Sequence, residues 1–206
     1  AQGTLLDLDH GTYPYVTSGS AVVGGACTGF GISPRRIQHV LGIFKSYPTR
    51  VGGGPMPTEI KDDIGELIRE RGHEYGTTTG RARRCGWFDA VASRYTVRVN
   101  GLTDVAITRL DILDTLDTIK ISTAYTVDGK RLESFPASID VLQRCQPVYE
   151  ELPGWRAPTH DIRHFEDLPP AAQTYIRRIE QLMSCPVSLV SVGPHREQTI
   201  WLKSIV

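Results

Sequence analysis

The apolar positions of this chain change their period several times, and the changes mark its parts. Through residue 32 they come in short patches, Leu5-Leu6 and Ala21 to Val23, set among Gly, Ser and Thr. That predicts loop with short strands. Ser33 is then a candidate N-cap with Pro34 at the first helical position, and Ile37, Val40, Leu41 and Phe44 recur at helical spacing, which predicts a first helix. Residues 47–58 carry three prolines and Gly52-Gly53-Gly54, so they read as a loop. Ile60, Ile64, Leu67 and Ile68 predict a second helix from about Glu59 to Arg71, ended by Gly72. A Gly-, Thr- and Arg-rich loop covers 72–86. Phe88, Val91, Ala92 and Tyr95 then give a third helix over Trp87–Asn100, stopped by Gly101.

Beyond Gly101 the period shortens. Val105 to Leu110 reads as a buried strand leading into Asp111. Ile119 to Val127, the turn Asp128-Gly129 and Lys130 to Phe135 predict a hairpin, and Val148 to Leu152 a further short strand. A fourth helix follows Pro169-Pro170 and presents Tyr175, Ile176, Ile179 and Leu182. Val187 to Val192 is a buried strand running into Gly193-Pro194, and Thr199 to Leu202 is a last short one. Helices alternating with buried strands predict an α/β fold with an antiparallel excursion near 119–152.

Composition adds mainly exclusions. The 206 residues are 40% hydrophobic and 22% charged, ordinary for a water-soluble globular protein. Lys plus Arg and Asp plus Glu are both 23, so no overall field draws nucleic acid or an anionic membrane. No apolar run approaches a membrane span. Cys27, Cys85, Cys145 and Cys185 show no paired spacing, which predicts free thiols, a reducing compartment and a cytoplasmic location. The chain opens without Met inside a Gly-containing turn, as expected of a fragment.

The candidate chemistry is local. Gly76-Thr77-Thr78-Thr79-Gly80-Arg81-Ala82-Arg83-Arg84 puts close-approach glycines, hydroxyl donors and guanidinium groups in one loop before a helix, a combination suited to carboxylate or phosphate. The bland alternative is a solvated basic turn. Thr108-Arg109-Leu110-Asp111 ends a buried strand, where an aspartate can accept from guanine N1 and N2. The pattern resembles the guanine-selecting Asn-Lys-x-Asp of GTPases, although for a four-residue match standing alone an Asp that caps the next turn is the plainer reading. Ser191-Val192-Gly193 also ends a strand and offers backbone groups to a base, or is a simple turn. Gly52-Gly53-Gly54 lacks the Lys and Ser/Thr of a phosphate loop. His160 and His164 stand at metal-ligand spacing in loop-like surroundings, and Asp7, Asp9 and His10 read as a turn that bonds its own backbone. No nucleophile or general base stands out.

Taken together, several stretches resemble the adenylosuccinate synthetase family in order and over nearly the whole chain. They are Ala1 to Asp7, His10 to Ser18, Thr49-Arg50-Val51-Gly52, Gly54-Pro55, Pro57-Thr58-Glu59, Gly76 to Arg84, Gly86-Trp87, Arg98 to Gly101, Leu110 to Asp114 and Pro153-Gly154-Trp155. The resemblance implies a GTPase-like, mostly parallel sheet with helices on its faces and an antiparallel hairpin excursion. It implies that residues 1–206 are the C-terminal portion of a single domain, with an antiparallel sub-region at about 119–152. It implies a GTP-dependent ligase that phosphorylates the 6-oxygen of IMP and lets the amine of L-aspartate displace that phosphate, giving adenylosuccinate, GDP and phosphate.

By the same resemblance Gln2, Thr17, Val51 and Arg81 contact IMP. Thr77, Thr78, Thr79, Gly80, Arg81, Ala82 and Arg83 form the aspartate loop. Arg83, Arg109, Leu110, Asp111, Ser191, Val192 and Gly193 contact GTP. The family's phosphate loop, Mg2+-binding Asp and partner His lie upstream, so the chain itself is expected to hold no catalytic or metal residue and to be inactive alone. A homodimer without nucleic-acid or membrane partners is implied. Two positions depart from the family pattern: Arg109 where Lys is usual, which keeps the charge and alters packing on the base, and His195 where Asp is usual, which changes that loop's hydrogen bonding. A non-enzymatic nucleotide-binding module and a relative using another purine monophosphate remain alternative readings.

Overall fold

A computed structural model describes residues 3–76 and 80–205. In chain order its longer elements are α1 (Gly24–Phe30), β1 (Leu41–Lys45), β2 (Thr49–Arg50), α2 (Asp63–Arg71), β3 (Arg84–Cys85), β4 (Phe88–Asp89) and α3 (Ala90–Asn100). They continue with β5 (Asp104–Thr108), β6 (Thr118–Val127), β7 (Lys130–Leu132), α4 (Ile139–Arg144), β8 (Gln146–Pro153), α5 (Pro170–Met183), β9 (Val187–Ser191) and β10 (Thr199–Trp201).

The main sheet has the order β1-β5-β9-β10; β1, β5 and β9 run parallel and β10 antiparallel. The middle strand β5 is the most apolar, with Val105, Ala106 and Ile107 buried, as a strand covered on both faces requires. Its neighbour β9 buries Val187 and Val190. A second sheet is built on the ten-residue β6, which pairs parallel with β4 and antiparallel with β7 and β8. The Asp128-Gly129 turn closes its hairpin, both residues adopting positive φ. Helices α3 and α5 pack on each other, α3 also against β6 and α5 against β8 and β9. Tyr175, Ile176 and Ile179 of α5 join one core with Ile107, Ile119, Ile121 and Val190. This is the α/β arrangement the periodicity predicted, antiparallel excursion included.

Helix starts follow side-chain capping. Asp62 accepts from Ile64 N and Gly65 N and opens α2 later than Glu59; Asp89 accepts from Ala92 N and opens α3 at Ala90. Trp87 is not helical, and the two residues after it form β4.

Two expectations need correction. The helix expected from Ser33 is a single 3-10 turn, Pro34–Arg36, and Leu41–Lys45 is β1. The short apolar run satisfies both periods, and parallel pairing with β5 decides it. Gly42 records that choice, since a Cβ there would lie 2.3 Å from Leu102 Cδ1. The first 32 residues contain α1 and, among the described residues, no strand. Three of the seven residues of α1 are glycine, a composition that does not announce a helix. Val23 N donates to Asn100 Oδ1 of α3 at 2.9 Å, tying its start down from outside. The helix α4 lies in the connection between β7 and β8, where none was expected. Among the described residues no helix is long and apolar enough to cross a membrane.

Candidate functional site

The carboxyl ends of β1, β5 and β9 open on one edge of the main sheet, the place where α/β sheets characteristically bind ligands. The chain leaves β5 through Thr108 and turns at Arg109, which adopts a left-handed backbone with φ +63°. Ser46 Oγ donates to Arg109 O at 2.8 Å and Thr108 Oγ1 to Phe44 O at 3.1 Å, fixing this turn to the end of β1. Leu110 is fully buried. Asp111 is half-buried, and Arg71 holds the turn from behind by donating to Asp111 O and Ile112 O, each at 3.1 Å. Burial, and then the nearby Asp114 carboxylate, raise the pKa of Asp111, with Arg109 and Arg71 opposing.

At the neighbouring strand end, Val192 is fully buried and its N–H donates to Gln198 O at 2.9 Å. Ser191 Oγ donates to Gly193 O at 2.8 Å. His195 N donates to Gln198 Oε1 at 3.0 Å and Gln198 N to His195 O at 3.0 Å, so backbone groups and a glutamine close the loop that carries His195. Gly193 leaves room for the Gln198 amide, since a Cβ would lie 2.2 Å from its Oε1. Ser191-Val192-Gly193 thus lies at the end of the strand that borders β5, one strand over from Asp111.

The Gly/Thr/Arg loop is a small hairpin at its base. Tyr75 bridges Ala82, Arg83 N donates to Glu74 O at 2.8 Å, and Gly76 N donates to Arg81 O at 2.8 Å. Gly80 takes φ +62° and Arg81 and Ala82 are exposed. Thr77, Thr78 and Thr79 lie outside the described residues, as does Gln2. The arginines divide in their use. Arg84 forks onto Glu59, both contacts at 2.7 Å, and also donates to Gly54 O at 2.8 Å. Arg83 Nη1 donates to Glu74 Oε2 at 2.9 Å.

Two further loops come alongside. Strands β2 and β3 pair Thr49 with Cys85 and Arg50 with Arg84, joining the loop that carries Val51 to the Arg-rich hairpin. Arg50 Nη2 then donates to Thr12 Oγ1 at 3.0 Å and to Tyr15 O at 3.1 Å, drawing in the segment that carries Thr17. Gly54, with φ +97°, leaves room for that guanidinium. Asp7 is buried and accepts backbone N–H from Asp9, His10, Ala21 and Val22, so it orders its own loop as its turn-like setting predicted. Thr17 is half-buried and Val51 half-exposed beside these turns.

Sequence reasoning passed over Glu74. Its side chain is fully buried, with Lys45 Nζ at 2.8 Å, Tyr47 OH at 2.9 Å and Arg83 Nη1 at 2.9 Å. Arg109 Nη1 lies 3.6 Å away and donates to Gly72 O. Burial would raise the pKa of this carboxyl, but the Lys45 hydrogen bond and the surrounding cations hold it below the ordinary glutamate range. The available signal was an acidic residue directly before a run with three arginines.

The family model for adenylosuccinate synthetase matches residues 1–200. The chain is 59% identical over 204 residues to the adenylosuccinate synthetase of Geotalea daltonii, covering 99% of this chain and 47% of that protein. It is 60% identical over 200 residues to that of Geobacter sulfurreducens, covering 97% and 46%. A fully ligated adenylosuccinate synthetase from Plasmodium falciparum superposes with a TM-score of 0.94 at 40% identity, covering 97% of this chain and 48% of that one. The succinoaminodeoxyadenylate synthetase of cyanophage S-2L, bound to dGMP and dATP, superposes with a TM-score of 0.58 at 19% identity, covering 100% and 45%, a likeness of fold alone. The chain spans about half the length of the curated relatives it matches. On this match the chain belongs to the adenylosuccinate synthetase family.

Proposed function

We propose that this chain supplies the substrate- and GTP-binding half of an adenylosuccinate synthetase, which joins IMP to L-aspartate with GTP. The observation that carries the reading is the convergence at one sheet edge of a guanine-type turn and an anion-binding hairpin, linked through Glu74. Asp111 accepts from guanine N1–H and N2–H₂, Arg109 lies along the base, and the backbone of Leu110 and of Ser191 to Gly193 frames it. The stretch Thr77 to Arg83 binds the carboxylates of aspartate, with Arg81 also reaching IMP and Arg83 the nucleotide. Gln2, Thr17 and the Val51 backbone hold IMP.

In the reaction a phosphoryl group passes from GTP to the 6-oxygen of IMP, and the aspartate amine then displaces it as phosphate. This chain's residues bind and orient. Guanidinium groups neutralise the aspartate carboxylates and keep the amine directed at the purine, a contribution of proximity and charge rather than proton transfer. The phosphate loop, the catalytic Asp and its partner His belong to the other half of such an enzyme, where Mg2+ would neutralise charge on the transferred group. Among the described residues no three His, Cys, Asp or Glu side chains converge on a metal position, and no step here is routed through the ion. A homodimer acting in the cytoplasm completes the reading.

The test is turnover of IMP, aspartate and GTP by the full-length protein and by the 206-residue chain alone. Adenylosuccinate formation by the former and none above blank by the latter is expected. Turnover by the chain alone, or preference of the full-length protein for another purine monophosphate, would overturn the reading.

A further inference from the structure

We propose that Glu74 is the positioning residue that sets the aspartate hairpin and the guanine turn in register, through one buried carboxylate that both share. The inference rests on the functional reading above and deepens it. Glu74 belongs to the hairpin base, where its carbonyl accepts Arg83 N at 2.8 Å. Its Oε2 accepts Arg83 Nη1 at 2.9 Å, so backbone and side chain of one residue hold both ends of Arg83. Its Oε1 faces the other way. There Lys45 of β1 and Tyr47 bond it at 2.8 Å and 2.9 Å, and the Arg109 guanidinium stands 3.6 Å off.

Three cations from three chain segments therefore share a single anion out of reach of water. Without it they would repel one another, and among the described residues none of the three has a second acidic partner. The fit around it is closed: a Cβ on Gly72 would lie 2.3 Å from Tyr47 OH, and Gly72 O takes the Arg109 donor. The carboxylate lies between the two guanidinium groups, 2.9 Å from Arg83 Nη1 and 3.6 Å from Arg109 Nη1. The IMP-side loops have further anchors of their own, through Arg50 to Thr12 and Tyr15 and through Arg84 to Glu59, and meet the cluster at Lys45, which also donates to Thr49 Oγ1 at 2.8 Å. The arrangement thus predicts a split between substrates that a general loss of stability would not produce.

The test is kinetics of Glu74→Gln in the full-length protein, with Arg81→Ala and Asp111→Asn run alongside. Glu74→Gln should raise KM for aspartate and for GTP together, each by about tenfold or more, the weight of a lost charged hydrogen bond, while KM for IMP, whose contacts lie mostly on loops with anchors of their own, rises by no more than about threefold. Tyr47→Phe removes one hydrogen bond from the same carboxylate and serves if Glu74→Gln fails to fold. It should move the same two constants by about threefold. Equal changes for all three substrates, or none, while Arg81→Ala and Asp111→Asn act on aspartate and GTP as expected, would refute the positioning role and leave the loop assignments standing. If those two variants leave both ligands untouched, the assignments fail and this inference fails with them.

Discussion

Glu74 lies near the carboxyl ends of the parallel strands, and Asp89 lies in the second sheet, where β4 hands the chain to α3. Both are buried acids, yet burial has opposite outcomes. Glu74 is surrounded by Lys45, Arg83 and Arg109 and is held below its ordinary pKa. Asp89 has Tyr125 OH and the N–H groups at the start of α3, too little to offset burial, and its pKa rises from 3.8 to about 6. The difference lies in what each region must do. The strand-end region gathers cations that a ligand's carboxylates or phosphates can use, and one internal anion keeps them together. The antiparallel sheet places a carboxyl where a neutral hydrogen-bonding group would serve: it caps α3 and anchors β6. Charge density, rather than burial, separates the candidate site from its support.

The largest effect that would break this contrast is expected at Asp111. Asp111→Asn in the full-length protein turns an amide donor toward guanine N1–H and N2–H₂. GTP use should fall by about two orders of magnitude or more, one broken charged hydrogen bond alone being worth roughly 1.5–3 kcal/mol. Xanthosine triphosphate, with an acceptor at the 2-position, should gain relative to GTP. Equal losses for both nucleotides, together with a lowered melting temperature, would make Asp111 a structural residue of its turn.

A smaller effect sharpens the other side. The folded-state pKa of Asp89 is above its unfolded value, so the folded protein binds the proton more tightly. Its contribution to stability is present below about pH 4 and is lost as pH rises to about 6. The slope approaches about 1.4 kcal/mol per pH unit within that window. Asp89→Asn should remove the slope while leaving the KM for GTP and for aspartate unchanged. Denaturant melts between pH 4 and 7 measure it; an unaltered slope would show that Asp89 is already ionised at low pH.

Much of the fold was legible because its longer elements repeat their period. α5 buries Tyr175, Ile176 and Ile179 on one face, and β5 carries the apolar run Val105-Ala106-Ile107. What was not legible depends on partners distant in sequence. β1 is a strand because β5 lies beside it, and the two-residue β2 and β3 exist only as each other's partner. The glycine-rich α1 is anchored by Asn100 rather than by its own propensity. At the candidate site, residue type and strand-end position pointed to Arg81, Arg83 and Asp111. Nothing local to Glu74 announces Lys45 or Arg109, since one reaches it from the end of β1 and the other from the turn after β5. Likewise Arg50 is an ordinary loop arginine until the fold brings Thr12 and Tyr15 to it.

Amide hydrogen exchange of the full-length protein, with and without IMP, GTP and an unreactive aspartate analogue, tests the division of labour most directly. Slowed exchange is predicted at residues 74–83, 109–113 and 191–193, with the antiparallel strands β6 and β8 unchanged. Protection centred on those antiparallel strands, or spread evenly over the chain, would contradict the account.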